Sequence, residues 1–211
     1  MNVDWDSKTN TVLLSDKTIN QNTENNKASL NSESVEVVKE YNWKDDYKSY
    51  VAIVIKNVSN KVLSPRIQIS FKKSNGTIVG ADNKSEDAFG IGNEMLFIFS
   101  NDEDFEIYEY RISYPEETYY DECVSKLQTT VSTTDKKAII QVTNNGDKPA
   151  KFVNYTVLFK NGDKVVSYER GYCTDDDNEI KPGMTEIKEA SVGYKKSFDS
   201  VEVYFTGRSN K

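Results

Sequence analysis

The sequence repeats its own pattern of strands and turns, and that repeat constrains the fold more than any other feature. Residues 51–112 run VAIVIKNVSNKVL, IQISFKKSNGTIVG, FGIGNEMLFIFS and FEIYEYRI, and residues 138–205 echo them as AIIQVTNNGDKPA, YTVLFKNGDKVVS, IKPGMTEIKEAS and FDSVEVYF. Each copy holds a full set of alternating strands and can close a core of its own. The expectation is therefore two tandem all-β sandwiches, over residues 33–114 and 115–211, with residues 1–32 outside them as a hairpin and a polar linker.

The strands follow from period-two alternation. Ile67, Ile69 and Phe71 alternate in the first copy, and Val153, Tyr155, Val157 and Phe159 in the second; that period marks half-buried sheets. Turn formers separate the strands. Asn57 to Lys61 and Asn144 to Lys148 read as tight reversals, because Asn, Asp and Gly tolerate positive φ and bond their own backbone. Ser74-Asn75-Gly76 and Asn161-Gly162-Asp163 read as hairpin turns of type I′. About seven short strands per copy, with no helix, is sandwich spacing.

Charge and composition exclude several function classes. The chain has 27 Lys plus Arg against 34 Asp plus Glu, a net charge of −7, and no histidine. A net-acidic surface without a basic stripe repels phosphate backbones and anionic lipid, so nucleic acid is not an expected partner. Without imidazole there is no His-activated serine or cysteine nucleophile and no His metal ligand. The longest apolar runs, such as VAIVI at 51–55, are strand-sized, so no membrane insertion is expected. Residues 16–32 carry Ile19, Ala28 and Leu30 as their apolar side chains, and a stretch that buries so little reads as a flexible linker.

Candidate chemistry lies where the copies differ. Cys123 and Cys173 are the two cysteines, and both fall in the second copy. A disulfide is expected over two unrelated free thiols, closing a loop of about fifty residues worth roughly 4 kcal/mol. Asp102-Glu103-Asp104 and Asp175-Asp176-Asp177 are acidic runs. Oxygen ligands on a loop suit calcium, and Asp175 and Asp177 are the first metal ligands to test, against the blander reading of a solvated acidic loop. Calcium is the one cofactor considered. Trp43, Tyr47 and Tyr50 surround the first turn of the first sandwich and could stack on a sugar or peptide, whereas core and junction packing is the competing use of such rings. Tyr114, Tyr119 and Tyr120 flank Pro115 between the copies, where a short linker restricts the mutual angle. The sequons at Asn57, Asn75, Asn83 and Asn154 read as accidents of an Asn-rich chain.

Two resemblances add to this reading. Val3, Trp5, Asp6, Lys8, Thr9, Thr11 and Val12 match a V-x-W-D-x-K-T-x-T-V pattern, and the segment resembles the closing hairpin of the copper-amine-oxidase-like N-terminal domain of Firmicutes surface proteins. It implies an orphaned hairpin, an export signal lost upstream and an extracellular or cell-surface location, with no enzyme activity carried over; the competing reading of these residues is an ordinary polar leader or an edge strand added to the first sandwich. The order of strands and turns over about residues 47–206 resembles the bacterial immunoglobulin-like domains named for an F-x-L-Y-D motif. The matching positions are Ile69, Phe71, Lys72 and Lys73 before Asn75-Gly76, and Val157, Phe159, Lys160 and Asn161 before Gly162; both copies lack the Tyr-Asp of the name. That resemblance implies a monomeric, non-catalytic accessory module, a spacer or protein-interaction domain of an exported protein, with a protein or cell-wall polymer as partner. The alternative is a carbohydrate- or peptide-binding module, assisted by calcium.

Overall fold

Alternating apolar residues form the strands, and the strands close two cores. The computed structural model describes residues 5–6, 11–13, 17–18, 34–174 and 178–211. In chain order the strands are β1 (Trp5–Asp6), β2 (Thr11–Leu13), β3 (Lys17–Thr18), β4 (Val35–Lys44), β5 (Ser49–Asn57), β6 (Arg66–Lys72), β7 (Ile78–Ser85), β8 (Glu94–Asn101) and β9 (Ile107–Ser113). There follow β10 (Tyr120–Glu122), β11 (Leu127–Thr133), β12 (Lys137–Asn144), β13 (Ala150–Asn161), β14 (Lys164–Tyr172), β15 (Glu179–Ile180), β16 (Thr185–Ser191) and β17 (Ser200–Asn210). Among the described residues a single 3-10 turn, Val124–Lys126, is the one helical element.

Every pairing among the described strands is antiparallel. In the first sandwich the sheet β4-β5-β8 faces the sheet β1-β2-β9-β6-β7, which β3 joins by pairing with β9. In the second, β11-β12-β16 faces β10-β17-β13-β14, with β15 on β13. The inward positions of β5 (Val51, Ile53, Ile55), β6 (Ile67, Ile69, Phe71) and β8 (Met95, Phe97, Phe99) fill one core. Ile140 and Val142 of β12 and Val153, Tyr155, Val157 and Phe159 of β13 fill the other. The duplicated strands therefore hold equivalent places, β4 matching β11, β5 matching β12, and so on to β9 and β17.

Turn chemistry repeats with the strands. Lys181-Pro182-Gly183-Met184 closes on a 3.0 Å bond from Met184 N to Lys181 O, and Gly90-Ile91-Gly92-Asn93 on a 3.2 Å bond from Asn93 N to Gly90 O. Gly92 and Gly183 both take φ of 75°, the left-handed third position of a type II turn, where glycine carries no Cβ penalty. The hairpin turns depart from the type I′ expectation. Gly76 and Gly162 have positive φ, but Asn75 and Asp163 do not. Gly162 is thus the first central residue of a two-residue turn of II′ pattern, while Gly76 closes the turn Lys73–Gly76 with a 2.9 Å bond to Lys73 O, and the register shift at Phe71/Lys72 is a separate bulge farther along the hairpin.

Three expectations are corrected or bounded by this architecture. The hairpin of residues 1–15 is not orphaned, because its strand β2 pairs with β9 through Val12↔Ile112, so it extends the first sandwich. The body of the expected linker, residues 19–32, lies outside the described residues. The disulfide is not formed, and Cys123 and Cys173 are buried free thiols. Cys123 follows β10 and Cys173 follows β14, the two ends of the order β10-β17-β13-β14. Three strand spacings of about 4.8 Å each separate those edges, whereas a disulfide needs Cα atoms within about 7 Å.

Candidate functional site at the domain junction

The outer faces of two non-equivalent sheets meet between the sandwiches. Ala52 and Val54 of β5 and Leu96 of β8 bury against Leu158 of β13, Val165 of β14 and Tyr204 of β17. Val38, Tyr41, Trp43 and Ile98 pack on the rim of that cluster. The continuous apolar runs VAIVI and MLFIF carry the reason: alternate residues enter the first core while those between them enter the interdomain one. Such a run is the signature of a strand covered on both faces. The matching β12 and β16 leave Gln141, Ile187 and Glu189 exposed instead.

At the edge of this apolar contact Glu202 gathers donors from both sandwiches. Tyr204 donates to it at 2.6 Å, Lys160 at 3.0 Å and Tyr41 at 2.9 and 3.0 Å, and Lys39 lies 3.3 Å away. Burial pushes the Glu202 carboxyl up, but the hydrogen bonds from Tyr204, Lys160 and Tyr41 and the Lys39 charge outweigh it and hold the group at about 2. Tyr41 and Tyr204 are pushed above the ordinary phenol range, by burial first and then by the same carboxylate. A carboxylate supplied by that many donors is ionised at neutral pH and saturated as an acceptor. It is a structural hub.

The bulge of β4 between Val37 and Lys39 shifts the strand's alternation by one residue. Lys39 and Tyr41 face the second sandwich, while Glu40 faces its own core. There Tyr108 donates to Glu40 at 2.7 Å and Tyr110 at 3.1 Å, and burial followed by the Glu40 charge pushes both phenols up. Ion pairs complete the junction. Arg170 meets Glu86 at 3.0 Å, and Arg208 meets Asp87 while its guanidinium lies 4.1 Å from the centre of the Tyr120 ring. The connecting segment is pinned to the first sandwich by Ser64 N to Pro115 O at 2.8 Å and Glu117 N to Val62 O at 2.8 Å. The buried Glu117 carboxylate accepts the amide protons of Tyr119 and Tyr120 at 2.6 and 3.2 Å.

The candidate aromatics divide. Trp43 and Tyr50 stack with ring centres 4.9 Å apart, and Tyr168 of the second sandwich meets both edge-on at 5.9 and 5.7 Å. Tyr50 also donates to Asp45 at 2.8 Å. Tyr47 is 83% exposed and stands apart from the stack. One side of the Trp43–Tyr50 pair opens onto a cleft of about 410 Å³ lined also by Asn42, Ser49, Asp104 and Glu106. The acids of the first acidic run engage lysines, Asp102 with Lys48 at 3.0 Å and Asp104 with Lys44 at 2.7 Å. Asp175 and Asp177 lie outside the described residues. Among the described residues no cluster of three or more His, Cys, Asp or Glu could hold a metal ion.

Glu40, Glu202, Lys160 and the tyrosines around them are absent from the sequence candidates. The signal available for this face was the unbroken apolar run of β5 and β8, which pointed to a second buried surface without naming the polar groups on its rim.

No family model matches the chain, and no curated protein does. Among solved structures it is similar to a red sea bream transglutaminase, at 10% identity over 80% of this chain with a TM-score of 0.29. It is similar also to an allantoicase, at 9% identity over 87% of this chain and 82% of that one, with a TM-score of 0.18. The chain spans 29% of the transglutaminase. At these scores neither likeness carries an argument about this protein.

Proposed function

We propose that the chain is a non-catalytic accessory module of an exported or cell-envelope bacterial protein, two tandem immunoglobulin-like sandwiches of the F-x-L-Y-D type acting as a spacer or protein-interaction unit. The observation that supports this reading is the interdomain lock. A spacer transmits position only if its parts keep one mutual angle, and here an apolar patch, the Glu202 hub and a pinned linker hold that angle. The duplicated positions are core residues, turn formers and the buried asparagines Asn57 and Asn144, whose side-chain amides bond the backbone carbonyls of Lys61 and Lys148, so what repeats is scaffold.

A second reading, a carbohydrate- or peptide-binding module, is favoured by one observation. The Trp43–Tyr50 stack lines a cleft with amide, hydroxyl and carboxylate groups beside it, the combination that grips a sugar ring. Titration with soluble cell-wall oligosaccharides, followed by tryptophan fluorescence, separates the two. The spacer reading expects no change, whereas saturable quenching lost in Trp43→Ala transfers the function to the cleft. Recovery of the native protein in the cytoplasmic fraction of its own cells would overturn the exported half of the proposal.

A further inference from the structure

Sheet edges are templates for adding a strand, and proteins protect them with charges, bulges or brevity. The described edges follow that rule with one exception. Strand β4 carries Lys39 and a bulge, β7 carries Lys84, β8 begins at Glu94 and β16 carries Lys188. The edge strand β14 lies against the first sandwich through Val165, and β1 and β10 are short and acidic.

Strand β11 has none of these protections. Its sequence LQTTVST holds no charge, proline or glycine. It pairs with β12 in seven uninterrupted steps, from Leu127↔Asn144 to Thr133↔Ala138, and among the described strands β12 is its one partner. Every residue after Leu127 is exposed. Val131 is 37% exposed although it stands opposite the fully buried Ile140 on the core side of the sheet. The equivalent strand of the first sandwich, β4, is covered by the second; β11 occupies the same place in its own sandwich with nothing after it to cover it among the described residues.

We propose that β11 pairs antiparallel with the β11 of a second copy of this chain, joining two three-stranded sheets into one of six across a two-fold axis at Thr130. The sequence is suited to meeting itself. Across that axis Thr130 faces Thr130, Thr129 faces Val131, Gln128 faces Ser132 and Leu127 faces Thr133. β-Branched and threonine pairs of this kind stabilise antiparallel ladders, whereas a charge near the axis would face its own copy. Pairing satisfies the free edge amides and carbonyls and covers Val131. This inference is independent of the exported-module reading, because it concerns the edge alone.

The test is sedimentation equilibrium of the full chain over a wide concentration range. Wild-type protein is expected to dimerise as concentration rises, with slowed hydrogen exchange at the β11 amides. Thr130 lies on the outer face opposite Gln141, so T130K and T130E should fold with an unchanged thermal midpoint and remain monomeric, and their equimolar mixture should recover the dimer. A dimer that T130K leaves intact uses another surface and overturns the proposal. So does a wild type that stays monomeric throughout, which would leave the edge to a peptide of another protein.

Discussion

Asn144 sits at the end of β12 with 1% of its surface exposed, and its side chain makes the turn beyond it. The amide nitrogen donates to Lys148 O at 2.9 Å and Ile180 O at 2.8 Å, and Oδ1 accepts Gly146 N at 2.9 Å. Asn57 repeats the arrangement in the first sandwich, donating to Lys61 O and Phe89 O at 2.8 Å and accepting Ser59 N at 3.0 Å. The sequence reading had the backbone bonding right and the backbone angle wrong, since neither asparagine has positive φ. Burial also removes the Asn57 sequon from use. Replacing Asn144 with Ala leaves the buried Ile180 carbonyl and the part-buried Lys148 carbonyl without this donor, so it is expected to destabilise by roughly 1–3 kcal/mol. Asn144→Asp should do no better, because a carboxylate cannot donate to a carbonyl. Urea midpoints measure both, and an unshifted midpoint in either variant would refute the bracket.

Strand order decides what the cysteines do. Their positions in the chain are compatible with a bridge across one sandwich, but β17 and β13 come between them, and no spacing rule in the sequence reveals which strands will be neighbours. Burial pushes both thiols up to about 12, so they should be protonated and slow to react. A thiol-reactive dye is expected to leave the native protein unlabelled and to add two labels in denaturant without reductant; a single mass species lacking both labels after unfolding would mean they are bridged. Alternation, by contrast, was legible strand by strand, because period two needs only local sequence. The double burial of β5 and β8 was written in their unbroken apolar runs, yet the partner that covers them lies some hundred residues away.

The two sandwiches meet across an apolar contact with a charged hub on its rim. Glu202 is held at about 2, against an ordinary value of 4.5, so its ionised form is favoured in the folded chain. Its contribution is full above about pH 4.5 and is lost as the pH falls toward 2. Acidification across that range is therefore expected to loosen the junction before it melts either core. Small-angle scattering should show an increase in overall dimensions while far-ultraviolet circular dichroism stays constant. Glu202→Gln should be looser already at neutral pH and flatter in its acid response. An acid profile identical in the variant and the wild type would remove Glu202 from the lock.

The sequence by itself determined the class of fold, the duplication, the places of the strands and most of the turns, because these depend on residue alternation and on local backbone preference. Tertiary structure decided what the repeated strands are for. Two copies with the same local grammar present different outer faces, and only packing brings the outer face of β4-β5-β8 onto that of β13-β14-β17. It sets Glu202 among donors from both halves, keeps Cys123 from Cys173, and leaves β11 as the uncharged edge. Each of those outcomes depends on contacts distant in sequence, and a contact between distant residues is specified by the whole chain together.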